Sequence, residues 1–466
     1  MKINASALRA SLEASLARHQ IPGASLAVFH DGELVIAAAG VTNMTTGVEL
    51  TPDTVMHIGS ITKILNATLV MQLVEEGKVA LDEPVTRYLP DLKLKDRQAL
   101  AQITVKMLLN HTSGIDGEML PDHGHDEETI EKGIARFAQL GQLIPPGTEF
   151  SYCNAGTVIA GYIVQRLRGK SWYRVIRERI FEPLQMEHAA ALPEEALLHR
   201  ASVGHYLDPD SNSKPSRTSF AFLPLSFGPC GTSLMMSARD LLRFLRVHMS
   251  DGVGENGIRL LSAHSVKVMQ QLTVNNKGKG YTYADGVGIG WFLAEEGLLH
   301  HLGGGPGIIS GLYAYPKHGF AAIVLTNAMH GLDLINELME PWLAEFGTTK
   351  PFGMAETDAS EKHVRIDPAR YVGVYGDVIS RFIVSHAAAG LMLSKQAKLA
   401  CYENISTQAT SPSRLIPLGD ERFMLEPGGA ADRASAAFRL FTFRNPDRNS
   451  RMRHLGNTLR LYSRIS

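Results

Sequence analysis

The stretch Val55-Met-His-Ile-Gly-Ser-Ile-Thr-Lys-Ile-Leu-Asn66 sets a serine, Ser60, three residues ahead of a lysine, Lys63, at the mouth of a predicted helix. At that spacing the two side chains lie one turn apart on one helix face. An apolar run from Ile64 to Val74, ended by Gly77, carries Lys63 into a largely buried helix, where desolvation favours the neutral amine. A neutral lysine beside a serine is one means of making a nucleophile. Taken alone, a Ser-x-x-Lys pair more commonly marks a solvated surface turn.

The chain has 466 residues, more than one ordinary core holds, and reads as a large catalytic unit with an appendage. Its 46 basic and 47 acidic residues leave a net charge of -1, which removes the electrostatic case for nucleic acid or an anionic membrane as partner. A small or neutral substrate fits better. Cys153, Cys230 and Cys401 are odd in number and far apart, giving neither a disulfide scaffold nor a Cys-x-x-Cys metal pattern, so a reducing compartment is expected. The first residues turn quickly into an amphipathic helix through Leu16 without the apolar core of a secretion signal. With no run of 18 apolar residues to span a bilayer, the expectation is a cytoplasmic protein.

Outward from the Ser60 stretch, Ala24 to Phe29 and Leu34 to Ala39 flank Asp31-Gly32 and predict a hairpin. Thr104 to Leu109 predicts a helix ending at His111-Thr-Ser-Gly114. Further helices are expected over Thr157 to Leu167, over Ala238 to Val247 with Ser237 as cap, and over Leu332 to Phe346. Strands are expected over Gly288 to Leu293, Ile308 to Tyr315 and Gly319 to Thr326. Together these predict an α+β unit over residues 1–347, in which an antiparallel sheet built from both ends is flanked by helices. Residues 348–365 are polar and read as a linker. Residues 366–466 carry short alternating runs, among them Tyr371-Val-Gly-Val-Tyr375, Arg422-Phe-Met-Leu and Leu459-Arg-Leu-Tyr, which predict a small closed or nearly closed β-barrel. Asp122, His123, His125 and Asp126 share a loop, but no further ligand at zinc spacing supports a metal there, and no cofactor is called for.

Two later stretches bear on Ser60 and Lys63. In Tyr152-Cys-Asn154, alternation puts the phenol and the amide on one side of the chain. If a nearby Lys63 ammonium lowers the pKa of Tyr152, tyrosinate takes the serine proton and returns it to the leaving group. Asn154 is suited to hold a substrate carbonyl and to anchor Lys63; its structural alternative is to cap the following helix. His301-Leu-Gly303, followed by Gly304-Gly-Pro-Gly307, is dense enough in glycine for a substrate to lie directly against a strand. His301 is placed to hydrogen-bond substrate or the Tyr152 hydroxyl, with His300 beside it leaving the register open.

In this order and at these separations, Ser60-Ile-Thr-Lys63, Tyr152-Cys-Asn154 and His301-Leu-Gly303 resemble the three signatures of the serine β-lactamase and penicillin-binding-protein superfamily. The likeness points to its class C, esterase and D-aminopeptidase-like branch and covers roughly residues 5 to 345. Asn110-His-Thr-Ser-Gly114 and Pro146-Gly147 resemble that branch too. The resemblance implies a β-lactamase/transpeptidase-like fold, Ser60 as nucleophile, Lys63 and Tyr152 as the proton-transfer pair, and an oxyanion hole made by the backbone N–H groups of Ser60 and Gly304. It also implies substrate contacts from Asn154, His301 and Gly303. The C-terminal barrel is similar to the lipocalin-like appendages of some peptidases in this superfamily.

The chain departs from many β-lactamases at the third signature, where His301-Leu-Gly303 replaces Lys-Thr-Gly or Lys-Ser-Gly. Without that permanent ammonium, weight moves from antibiotic hydrolysis to small esters, amides or short peptides. The expectation is a serine hydrolase working through an acyl-enzyme, foremost a carboxylesterase on small esters. The alternatives are a D-aminopeptidase or amidase, then a β-lactamase or acyltransferase, and last a non-catalytic binding protein. Asp116, Glu118 and Asp122 are candidates to meet a cationic substrate amine, Cys230 is expected to be a buried inert thiol, and a homo-oligomer stays open.

Overall fold

The computed structural model describes residues 4–117, 122–126, 128–208, 214–279, 281, 284–348, 365–377, 379–398, 410–426 and 439–465. The predicted hairpin forms from Gly23–His30 and Glu33–Asn43, with Asp31 and Gly32 as its two-residue turn at φ 51 and 82. Paired positive φ values give the turn whose twist matches that of the flanking strands. This hairpin joins Phe320–Thr326, Ile308–Tyr315 and Leu299–Gly305 in a nine-stranded antiparallel sheet, so the two ends of the large unit meet in its middle.

Each face of the sheet is covered. Helices Ala5–His19 and Leu332–Glu345 pack Leu12, Leu16, Ile335 and Trp342 against Leu26, Val28, Tyr313 and Val324 on one side. On the other side, Ala27, Leu312, Ile323 and Leu325 meet the main helical core, which includes Thr62–Glu75, Asn154–Arg168 and Ala238–Met249. Strand alternation sends successive side chains to these two cores. Helix Thr62–Glu75 is buried from Thr62 through Leu73, so its polar side chains must find partners inside. Asn66 does so by donating to Thr157 O at 3.0 Å and accepting from Trp172 Nε1 at 2.9 Å.

The C-terminal strands close an eight-stranded barrel in chain order from Gly373–Gly376 to Arg460–Arg464, with Tyr375 registered against Arg464. Phe382, Phe423, Phe441 and Phe443 fill it. The expected linker falls almost wholly outside the described residues, as do Glu118 and Cys401.

Two sequence expectations change. Gly288 to Leu293 is not one strand: only Gly286–Val287 and Phe292–Leu293 pair, because Ile289 and Gly290 donate instead to Met269 O and Leu109 O at 2.9 and 3.1 Å. The barrel contains an unpredicted strand, Met452–Asn457. Among the described residues no three His, Cys, Asp or Glu side chains gather as a metal site, Asp126 pairing with Lys132 and Asp122 accepting from Gly124 N. No helix among them is long and apolar enough to cross a membrane.

Candidate active site

Three segments meet at Ser60. Gly59 holds φ +52, and a Cβ there would lie 2.6 Å from Gly304 N, so strand Leu299–Gly305 runs directly against the turn that carries the serine. From a third direction Gly231, at φ +120, lies so close that a Cβ would sit 2.8 Å from Ser60 N and 2.2 Å from Gly59 O. Both contacts are closer than any side chain permits, which is why glycine occupies these two positions. Gly303 and Gly304 register with Ser310 and Ile309 of the neighbouring strand, and Ser310 Oγ ties the assembly by donating to His57 O at 2.8 Å. Ser60 falls in the short 3₁₀ turn Gly59–Ile61 that leads into helix Thr62–Glu75, where backbone N–H groups have no intrahelical acceptor.

Lys63 is 2% exposed, and its Nζ lies 3.1 Å from Ser60 Oγ. It also donates to Cys230 O at 2.7 Å. Burial pulls its pKa down to about 8, with the Arg460 charge adding to the fall and Cys230 opposing it. The predicted pairing therefore forms, and a substantial neutral fraction exists near neutral pH. The observed anchor of the amine is the Cys230 carbonyl. The Cys230 thiol is buried and held up at about 11.

Tyr152 enters from the segment before helix Asn154–Arg168, and its hydroxyl hydrogen-bonds Ser60. Its ring lies 4.3 Å from the His111 ring, centroid to centroid, and Lys63 Nζ is 4.7 Å from its centre. The expected tyrosinate does not arise: desolvation drives the phenol well above its ordinary value and outweighs the hydrogen bond from Ser60. In this site Lys63, rather than Tyr152, is the group that titrates near neutrality.

His301 is 2% exposed and stacks on Phe292 at 4.5 Å, its ring 6.4 Å from that of Tyr152. Burial, reinforced by the Lys63 charge, lowers its pKa to about 3, so the ring is neutral and Nδ1 donates to Leu302 O at 2.6 Å. Adjacent His300 points elsewhere, lying parallel to Tyr313 with centroids 6.5 Å apart. Asn154, half-buried, begins the helix, while its cap is Cys153, whose Sγ accepts from Gly156 N at 3.2 Å. Asp116 lies within electrostatic reach of Cys153 and of Arg460, whereas Asp122 is exposed.

Two side chains at this site went unread in the sequence. His111, at φ 60, accepts from Cys153 N through Nδ1 at 3.1 Å and backs the Tyr152 ring. Its signal was its place in Asn110-His-Thr-Ser-Gly114, which had been read only as the end of a helix and part of the resemblance. Arg460 comes from the barrel, with its guanidinium 5.1 Å from the centre of the Tyr152 ring. No local pattern marks it. A cation thus stands beside Tyr152 although the third signature lacks one.

Comparison with known proteins agrees with this geometry. A family model described as Beta-lactamase matches residues 8–338. Penicillin-binding protein 4 of Amycolatopsis lactamdurans is 37% identical over 361 residues, which is 77% of this chain and 93% of that protein. The crystal structure of SurE with D-Leu superposes with a TM-score of 0.76 at 25% identity, covering 99% of both chains. The D-amino acid amidase of Ochrobactrum anthropi SV3, complexed with L-phenylalanine amide, gives 0.61 at 26% identity over 73% of this chain and 98% of that one.

Proposed function

The chain belongs to the Beta-lactamase family of serine hydrolases, and on that premise we propose that it cleaves D-aminoacyl amides or short peptides through an acyl-enzyme on Ser60. The observation that carries this reading is the 3.1 Å approach of the buried Lys63 amine, its pKa lowered to about 8, to the Ser60 hydroxyl. Lys63 takes the serine proton as Oγ attacks the substrate carbonyl. The oxyanion is held by Ser60 N–H and Gly304 N–H, donors of a kind each worth about 3 to 4 kcal/mol in comparable hydrolases. Collapse breaks the carbonyl–nitrogen bond, and the proton passes from Lys63 through the neutral Tyr152 phenol to the departing amine. Water then attacks the ester, gives a proton back through the same groups and frees Ser60. Asn154, His301 and Gly303 line the acyl side.

Two observations favour amide or peptide substrates over the simple esters expected from the third signature. Arg460 sets a cation 5.1 Å from the centre of the Tyr152 ring, a charge that suits the carboxylate of a short peptide. Two relatives in the same fold were solved with D-Leu or are described as a D-amino acid amidase. Hydrolysis of small esters is the second reading, favoured by the neutral His301 and aliphatic Leu302 where a lysine and a hydroxyl would suit a β-lactam carboxylate.

A parallel screen tests the choice, using D- and L-phenylalanine amide, p-nitrophenyl acetate and a chromogenic cephalosporin. The expected result is kcat/KM at least about tenfold higher for the D-amide than for the L-amide. Turnover confined to the ester overturns the amide reading and leaves the esterase.

A further inference from the structure

The barrel reaches the serine through one hairpin. The turn between Met452–Asn457 and Arg460–Arg464 bends at Thr458, φ 57, and pairs with the segment that carries Tyr152. Tyr152 N donates to Leu459 O at 2.9 Å, and Leu461 N donates to Ser151 Oγ at 3.2 Å. Further out, Arg444 forms an ion pair with Glu149, both side chains being largely buried, and His454 Nε2 donates to Leu143 O at 3.0 Å. Between these two hydrogen bonds, Arg460 is carried onto the Tyr152 ring on which Lys63 also lies.

We propose that Arg460 is a positioning residue for proton transfer at Ser60: its fixed positive charge, set on the same tyrosine ring, disfavours the ammonium of Lys63 and so favours the neutral amine that accepts the serine proton. This rests on the reading of Ser60 as nucleophile and Lys63 as base. The groups around Lys63 leave few competitors. His111 and His301 are kept neutral by burial, and the thiols of Cys153 and Cys230 are pushed up to about 11. Among the described residues, the remaining charges near Lys63 are Arg460 and Asp116. Burial lowers the guanidinium to about 10, against the attraction of Asp116, so it stays charged at neutral pH. Burial is the larger cause of the lowered Lys63 value, and Arg460 acts in the same direction. A like charge at this range disfavours a second cation, whereas the attraction between Asp116 and Arg460 moderates the effect. The barrel would thereby set the working pH of a site whose other groups lie in the large unit.

The test compares the wild-type protein with Arg460→Met, which keeps the side-chain stem without the charge, and Arg460→Lys, which keeps the charge. The readout is the second-order rate of Ser60 phosphonylation by a neutral fluorophosphonate, followed by intact mass between pH 6 and 10. A neutral probe offers Arg460 no carboxylate, so loss of a substrate ion pair cannot imitate the effect. The wild-type rate rises with an inflection near pH 8. In Arg460→Met the inflection moves up by about 0.5 to 1 pH unit, slowing the reaction about 3- to 10-fold at pH 7, and Arg460→Lys brings it back. An unmoved inflection in Arg460→Met, or one displaced equally in Arg460→Lys, overturns the proposal while leaving the acyl-enzyme intact. A wild-type protein that takes no label at any pH overturns both.

Discussion

Replacing Tyr152 by phenylalanine removes one oxygen from the proposed proton path and nothing else of the ring. The hydroxyl is bonded to Ser60, while the ring rests 4.3 Å from His111 and 6.2 Å from Phe292. Those ring contacts survive the substitution, so global stability should change by no more than about 1 kcal/mol, the worth of one hydrogen bond. The contact of Lys63 with Ser60 at 3.1 Å also survives, leaving a base but no relay to the leaving group. A positioned proton-transfer group contributes about 10²- to 10⁴-fold, so kcat/KM for an amide falls by that factor, or about 3 to 5 kcal/mol in the barrier. The loss should be smaller for p-nitrophenyl acetate, whose leaving group departs without a proton. Because Lys63 is the titrating group, the acidic limb of the residual activity stays near pH 8. Urea melts and pH profiles of kcat/KM on both substrates check this. A loss below tenfold on the amide, or an acidic limb that disappears with the hydroxyl, would show that Tyr152 does not carry the proton in this way.

Gly231→Ala places a Cβ 2.8 Å from Ser60 N at φ +120, and the strain should cost about 2 to 4 kcal/mol in a urea melt together with most of the activity; an unchanged midpoint contradicts the packing described. Acid should weaken the fold well before the carboxylates titrate. His57 is lowered to about 4, and His248 and His301 to about 3, chiefly by burial. Since these folded values lie below that of an unfolded histidine, about 6.5, the unfolded chain binds more protons below that pH. Their contribution is complete above about pH 6.5 and declines by roughly 2 kcal/mol apiece on going to pH 5. Equal urea midpoints at pH 7.5 and 5 would contradict the neutral burial of these rings.

What could be read in the sequence was what is local. The Asp31-Gly32 hairpin and the buried helix after Lys63 announce themselves through turn residues and apolar runs, and most barrel strands through alternation. Met452–Asn457 was missed because Arg451, Arg453 and His454 dilute its alternation, and the Gly288 segment misled because periodicity does not reveal which carbonyls take its N–H groups. Arg460 shows the larger difficulty. Alternation with Tyr462, a barrel-core residue, sets it on the inward face at the end of its strand, and nothing local says that the large unit meets the chain there. Here the hairpin docks on the large unit, and the two hydrogen bonds that hold it, Tyr152 N to Leu459 O and Leu461 N to Ser151 Oγ, join residues some 310 positions apart. The charge state of Tyr152 is not legible in the sequence for a related reason, since a tyrosine beside a lysine says nothing about how deeply both are buried.

Covalent capture of Ser60 tests the chemistry most directly. Folded protein incubated with a fluorophosphonate at pH 8 should gain one adduct by intact mass, mapped by peptide analysis to Ser60, and Ser60→Ala should gain none. An unlabelled wild-type protein, or an adduct that persists in Ser60→Ala, would contradict an acyl-enzyme built on this serine.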